Sequence, residues 1–433
     1  MELVFEIPML LKITVIFILI LLLMRRKYSL GTALLAGALL LGLWSRMSLR
    51  QIAESTGATI IQPQTLMLNA VVILILILSH AMERLGQMKR LLASFRGLVK
   101  NAKLNLIAFP AIIGLLPMPG GAIFSAPMVD VLGKEYGLDP ETKALVNYWF
   151  RHVWESAWPL YPGVLLAASL AGIDVWRFTI TAAPMFLASS LAGYLFFLRK
   201  ISHAAPVKEA QASQFRLFAK ELTPISLVIG GAIIGSTVMA GLQRQFPALE
   251  ALPAELPLVL ALVVSIAVVF RMNQASGALL ATICRNRAFW ELAYMVTAIY
   301  IFKGILVDSR AVGEISQTLL ALKIPLVPVL VILPALVGAI TGVSAAFVGT
   351  TFPVLISLLQ TSHLAAQMLP YLILAYISGF IGIMSSPIHV CFILNREYFQ
   401  ADFGLLYRRL WQPLAALFAA VLIYWEILRA FSA

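Results

Sequence analysis

Residues 110–125 read PAIIGLLPMPGGAIFS, and residues 334–349 read PALVGAITGVSAAFVG. The two stretches lie 224 residues apart, open on the same Pro-Ala-x-x-Gly, and run directly into small residues. The first contains Pro117-Met118-Pro119-Gly120-Gly121 and cannot continue as a helix, because proline lacks a backbone donor and glycine admits dihedrals that other residues avoid. Thr341-Gly342-Val343-Ser344 interrupts the second in a similar way. Each stretch leads to another interruption: Trp158-Pro159-Leu160-Tyr161-Pro162 in the first half and Ser385-Ser386-Pro387 in the second. These align at an offset of 228, with LVNYWFRHVWESAWPLYP (145–162) beside ILAYISGFIGIMSSPIHV (373–390). Tyr148 then matches Tyr376, Pro159 matches Pro387, and Tyr161 matches His389.

The surrounding composition says what medium these breaks occupy. Of 433 residues, 61% are apolar and 12% charged, and the mean hydropathy is +0.92. A water-soluble protein cannot bury that much apolar surface and still cover itself with polar groups. The chain therefore reads as a polytopic membrane protein. Cys284 and Cys391 are the two cysteines, too few for a disulfide scaffold or a cysteine-rich metal centre. The net charge of +12 would suit nucleic acid, but the basic residues sit at the ends of apolar segments, where membrane topology calls for them. No nucleic-acid partner is expected.

Segments long enough to cross about 30 Å of hydrocarbon fall near residues 8–24, 30–44, 65–82, 175–198, 223–242, 256–270, 289–307 and 410–428. The interrupted regions 102–170 and 324–394 are each read as one re-entrant hairpin and one broken span, which brings the total to about ten transmembrane helices and two hairpins. With the N-terminus outside, segments 25–27, 84–103, 134–143, 199–220, 271–287 and 396–409 become cytoplasmic and hold 22 of the 32 Lys and Arg residues. Positive charge resists translocation, so both termini are expected outside a prokaryotic inner membrane. Residues 1–200 then form a first repeat, with hairpin 103–132 and broken span 141–170. Residues 201–220 form a cytoplasmic linker, and residues 221–433 a second repeat, with hairpin 324–359 and broken span 365–395. Five crossings per repeat, an odd number, insert the second upside down. The expected fold is an all-α membrane protein of two inverted repeats, and discontinuous helices in inverted repeats are the architecture of secondary transporters.

Backbone groups freed in hydrocarbon cost several kcal/mol each unless something satisfies them, so the four breaks are expected to surround one wet site. Pro119, Gly120 and Gly121 at the first tip, and Thr341, Gly342 and Ser344 at the second, are candidate substrate- or ion-binding positions. Ser156 and Pro159 join them from the first broken span, and Ser385, Ser386 and Pro387 from the second. Half-helix N-termini at such breaks attract anions, while freed carbonyls and hydroxyls suit a cation. Sodium is thus a metal these tips could hold, with no ligand set readable. Glu155 is an ionisable group at membrane depth, and such residues usually mark ion or substrate pathways; its structural alternative is neutralisation of Arg151 one turn earlier. His389 can couple transport to protons or simply pack. Lys303 and Asp308 read as snorkelling or paired near the outer surface.

With these residues assembled, the chain resembles the ion transporter superfamily of dicarboxylate, citrate, arsenite and gluconate permeases. More narrowly, LPMPGGAIFSAPM (116–128) and ESAWPLYPG (155–163) resemble an uncharacterised-function family of prokaryotic integral membrane proteins within it. The resemblance implies an elevator carrier, with a scaffold of the first three spans of each repeat forming a homodimer and the hairpins and broken spans moving. The dicarboxylate carriers place Ser-Asn-Thr at each tip. This chain departs from that pattern with Pro119-Gly120-Gly121 and Thr341-Gly342-Val343-Ser344, so the resemblance speaks to fold more than to substrate. The expected function is secondary transport of a small anionic metabolite coupled to Na+ or H+, without a cofactor, in contact with membrane lipid. The alternative is an intramembrane, hydrolase-like enzyme using His152, Glu155 and His389. That reading requires the three side chains to converge within hydrogen-bond reach.

Overall fold

The computed structural model describes all residues except 1–8, 96–97, 99–100, 119–120, 200, 202–212, 247, 250–251, 312, 315–317, 319–324, 363 and 433. Among the described residues the chain is helical and contains no strand. The first half runs through α1 (Met9–Arg25), α2 (Leu30–Trp44), α3 (Leu49–Ile60), α4 (Pro63–Arg84) and α5 (Gln87–Phe95). It continues with α6 (Ala102–Gly114), α7 (Ala122–Glu135), α8 (Pro140–His152), α9 (Pro162–Ala171) and α10 (Val175–Gly193). The second half comprises α11 (Ser213–Gln245), α12 (Leu256–Met272), α13 (Gly277–Cys284), α14 (Arg287–Asp308) and α15 (Leu326–Thr341). It ends with α16 (Ser344–Thr361), α17 (Met368–Met384), α18 (Val390–Phe399) and α19 (Phe403–Ser432).

Seven of the described helices are long and apolar enough to cross a bilayer: Pro63–Arg84, Val175–Leu198, Phe215–Gln245, Phe289–Asp308, Ser344–Thr361, Ala365–Met384 and Phe403–Phe431. Leu30–Trp44 and Leu256–Met272, expected as spans, are shorter apolar helices. Ser344–Thr361 and Ala365–Met384 fall in the region read as a hairpin and a broken span.

Turn chemistry sets the ends of these helices. Asp139 caps α8 by accepting from Thr142 N at 2.7 Å, and Pro140 follows it; Pro162 opens α9. Proline suits a first helical position because its missing N–H would have had no partner there. Of the stretch 201–220, read as a linker, residues 202–212 lie outside the described residues, and the chain is helical from Ser213. Its Glu221 end is held by Arg90 at 3.0 Å and by Gln87 Nε2, which donates to the Glu221 carbonyl at 3.1 Å. The short helices α3 and α13 connect spans whose ends the hydropathy pattern left bare. The basic segment after α4 forms α5, with Met88, Leu91 and Leu92 buried. Residues 311–323, in the second half, lie largely outside the described residues.

The helices pack in two groups, and each group draws on both halves of the chain. In one, α2, α3 and α4 pack on α14, and α4 also packs on α12. In the other, α7 and α8 pack on α18, α9 packs on α16, α10 packs on α19, and α15 crosses α17. Between the groups, α4 meets α9 and α14 meets α16. The two most buried span-length helices lie in the second group: 89% of the Ser344–Thr361 window and 83% of the Ala365–Met384 window is buried, whereas 17% of the Phe215–Gln245 window is. An apolar helix exposed to that extent is suited to lipid rather than water.

Candidate functional site

Both broken spans are interrupted where their prolines predict. α8 ends at His152, passes through a tight turn at Val153–Ser156, and restarts as α9 at Pro162. α17 ends at Met384, and α18 starts at Val390. The freed carbonyl ends have partners. Trp154 Nε1 donates to the Ala111 carbonyl at 2.9 Å, Trp158 Nε1 to Leu115 at 3.0 Å and Tyr161 Oη to Gly114 at 2.8 Å. In the other half, Tyr148 Oη donates to the Met384 carbonyl at 3.1 Å, Tyr407 Oη to Ser385 at 2.9 Å, and Ser385 Oγ to Gly382 at 2.8 Å.

The N–H ends are treated differently. None of the four helices that start at these interruptions carries a side-chain cap: α7 after Gly121, α9 after Tyr161, α16 after Val343 and α18 after His389. Elsewhere, Ser29, Ser48, Asn101, Asp139 and Asp174 cap α2, α3, α6, α8 and α10. A start at the end of the bundle without a side-chain cap, such as Gln62 or Glu255, has water available. A start inside the bundle has only what the interior provides.

Three of the open starts line a central cavity of about 250 Å³, where Tyr161, Ser344 and Val390 meet Arg151, Glu155 and Met118. Leu76 of α4 and Leu292 of α14 close it from the other helix group. The starts of α9 and α16 touch: a Cβ on Gly163 would stand 2.7 Å from Ser344 Cβ and 3.0 Å from Tyr376 Oη. Arg151 is 4% exposed. Its Nη2 donates to the Met118 carbonyl and its Nη1 to His152 Nε2 at 3.2 Å, while Nε has no partner among the described residues. The start of α7 faces this guanidinium, and a Cβ on Gly121 would come within 2.7 Å of Nη2. His152 Nδ1 donates to the Tyr148 carbonyl at 2.6 Å, which leaves Nε2 as the acceptor for Arg151. Tyr148 Oη also lies 3.1 Å from His389 Nδ1. Tyr376 Oη donates to the Glu155 carbonyl at 2.9 Å, and the Glu155 carboxyl faces the Ser344 hydroxyl.

Of the residues singled out by sequence, Glu155, Gly342, Ser344 and His389 line the cavity, as does His152. Gly342 adopts φ +66 and lies against the backbone of His389, so glycine is required by both conformation and space. Gly121 adjoins Arg151, whereas Pro119 and Gly120 lie outside the described residues. Three hydroxyls turn back to their own helices: Ser156 to Val153, Thr341 to Val337 and Ser385 to Gly382, each at 2.8 Å. Ser386 Oγ is buried without a partner. Pro159 is buried in its bend, and Pro387 is exposed at its turn. Lys303, read as snorkelling or paired, donates to the Leu170 carbonyl at 2.9 Å and so ties α14 to the end of α9.

Sequence reasoning treated Arg151 only as a counter-ion for Glu155 and passed over Cys391, which lines the same cavity. A cavity shared by a guanidinium, a carboxyl, two imidazoles and a thiol, beneath open helix starts, can bind a small charged solute and can hold or move a proton. His152, Glu155 and His389 all line it, and the two imidazole rings stand 4.8 Å apart.

Among solved structures, the fold is similar to that of the YdaH transporter of Alcanivorax borkumensis, whose crystal structure is described as revealing an unusual topology. The likeness has a TM-score of 0.63 at 18% identity and covers 88% of this chain and 87% of that one. Comparison with curated proteins finds no match. A sequence model of the family described as "Protein of unknown function (DUF401)" matches residues 7–428, nearly the whole chain, and the chain belongs to that family.

Proposed function

We propose that the protein is a secondary active transporter that moves a small anionic metabolite across the cytoplasmic membrane, driven by Na+ or H+. The observation that carries this reading is the unequal closure of the helix ends around the central cavity. Carbonyl ends are matched to Tyr, Trp and Ser donors, while among the described residues four N–H ends lack side-chain caps and Arg151 keeps a buried N–H unpaired. Unmatched donors and aligned helix N-termini favour negative charge. A cavity of about 250 Å³ limits the solute to a small one.

The access routes support alternating exposure. A second cavity of about 610 Å³ reaches from Ser29, Glu83 and Arg84 to Leu76, Met118 and Leu292, three residues that also line the central cavity. A cavity of about 430 Å³ at the opposite end, by Pro63, Asp174 and Glu255, shares no lining residue with it. There, Ser169 and Tyr300 hydroxyls meet at 2.6 Å and Lys303 holds the Leu170 carbonyl. On the charge-based topology the open end is cytoplasmic and the held end external.

In this reading the two halves are inverted repeats within the ion transporter superfamily, and the group containing α4 and α14 is a dimeric scaffold. The group of hairpins and broken spans moves as an elevator, with any Na+ held near the tips. The likeness to the YdaH transporter supports it at the level of fold. The placement of His152, Glu155 and His389 around one cavity favours a second reading, an acid–base enzyme. A carrier accumulates solute only while its gradient lasts, whereas an enzyme turns over in detergent with no gradient. For the carrier, Glu155→Gln is expected to lower gradient-driven uptake in proteoliposomes at least about tenfold, the scale of one charge-assisted hydrogen bond. Unchanged uptake with unchanged pH dependence would remove the carboxyl from the mechanism.

A further inference from the structure

We propose that His152, His389 and Cys391 form a binding site for a thiophilic metal ion, zinc in the first instance, that bridges the two broken spans. The ligand atoms of the three side chains all lie within 4.8 Å of one another, and all three residues are buried. Two nitrogens and a sulfur suit zinc or copper(I) and are poor partners for sodium, magnesium or calcium. The site is therefore chemically distinct from any sodium site at the hairpin tips.

The surroundings resemble a metal site beyond the mere closeness of its ligands. Metal-binding imidazoles usually have their second nitrogen fixed by a carbonyl or another polar group, which sets the tautomer and aims the ring. Both rings here have that arrangement. His152 donates through Nδ1 to the Tyr148 carbonyl at 2.6 Å. His389 Nδ1 lies 3.1 Å from Tyr148 Oη and 3.4 Å from the Ile383 carbonyl. One residue, Tyr148, thus orients both rings, each keeping Nε2 for a ligand, and the ring centroids are 4.8 Å apart.

Zinc bonds of about 2.0–2.3 Å place ligand atoms closer together than they are here, so the side chains close by about 1 Å on binding. Arg151 Nη1, now donating to His152 Nε2, yields that nitrogen to the metal. The Cys391 thiol proton is released to solvent as the metal–sulfur bond forms. Glu155 in the same cavity then offsets the added positive charge. His152 ends the first broken span, whereas His389 and Cys391 begin α18 in the second. An ion here pins the two breaks together and fills part of the cavity assigned above to the anion. The metal proposal stands independently of transport and is tested without it.

The test is a cobalt(II) titration of the chelator-treated, purified full-length chain, followed by near-ultraviolet absorption for a cobalt–thiolate band. One equivalent is expected to produce the band, and zinc to bleach it. Cys284→Ser, which removes the other cysteine, keeps the band, whereas Cys391→Ser removes it. Tyr148→Phe weakens binding roughly tenfold, as loss of a group orienting a ligand does. Should Cys391→Ser misfold, alkylation of Cys284→Ser protein provides the second measurement: one equivalent of zinc slows modification of Cys391 at least about tenfold. A folded wild-type chain with no band, a band that survives Cys391→Ser, or alkylation indifferent to zinc would overturn the proposal.

Discussion

The two broken spans face the same backbone problem and meet it with different materials. In the first, aromatic donors reach across: Trp154, Trp158 and Tyr161 supply hydrogen bonds to the carbonyls that end α6. In the second, Tyr148 and Tyr407 serve the Met384 and Ser385 carbonyls, but where α17 crosses α15 absent side chains let the backbones close up. Gly338 lies against the Gly379 carbonyl and Gly382 against that of Ala335, each so near that a Cβ would overlap it. The positions correspond at the offsets read from sequence. Trp154 and Gly382 are 228 apart, their targets Ala111 and Ala335 are 224 apart, and the first answers a carbonyl with a donor where the second answers with proximity. Gly114 packs on the Arg151 carbonyl as Gly338 does on Gly379. Small residues are how membrane helices approach closely. The difference is local: where Trp154 meets Ala111 the contact is made by a side chain, and where Gly382 meets Ala335 it is made by backbone alone.

The largest expected effect concerns the joint built from side chains. Arg151→Lys keeps the charge but loses the planar fork, and proteoliposome uptake should fall roughly 10- to 100-fold while the protein still inserts and purifies as a folded species. Wild-type uptake in that variant would mean that the guanidinium does not grip the solute. The comparison itself is sharpened by paired stability measurements. Gly382→Ala forces a methyl into a backbone carbonyl and is expected to cost about 3 kcal/mol. Trp154→Phe at the corresponding place gives up one hydrogen bond, about 1 kcal/mol. Unfolding of the purified variants in lipid-like detergent should rank them in that order, and the reverse ranking would break the contrast drawn here. The smallest effect is expected at Ser385. Its hydroxyl serves only its own helix at Gly382, so Ser385→Ala should leave uptake within about twofold, and such back-bonding contributes little. A large loss would return Ser385 to the list of solute contacts.

How far the sequence could be read depends on whether a signal is local. The interruptions at Pro159 and Pro387, and the tips at Gly121 and Gly342, were legible because proline and glycine act through their own backbone. Whether Ser344 faces the cavity while Thr341 and Ser385 turn back to their helices was not legible, since a hydroxyl's partner depends on which helix lies opposite. The partners of Arg151 show the same limit. Its spacing from Glu155 suggests a pair along one helix, but the helix ends at His152 and the guanidinium turns to Met118, 33 residues away. For Cys391 the local signal was only His389 two residues earlier, because the third member of the cluster, His152, comes from the other half of the chain. The polar run from Ser213 was read as linker because hydropathy sees only the apolar part of α11, whereas the Arg90 and Gln87 contacts to Glu221 are long-range.

The most direct test of an anion site among open helix starts is a ligand-dependent shift in unfolding temperature, since a ligand bound only by the folded state stabilises it. Purified wild-type chain and Arg151→Lys would be heated with a panel of small monocarboxylates, dicarboxylates and phosphates, with and without sodium. At least one anion should raise the wild-type midpoint by several degrees and the variant's by far less. Stabilisation by neutral or cationic solutes alone, or equal stabilisation of both proteins, would contradict the account.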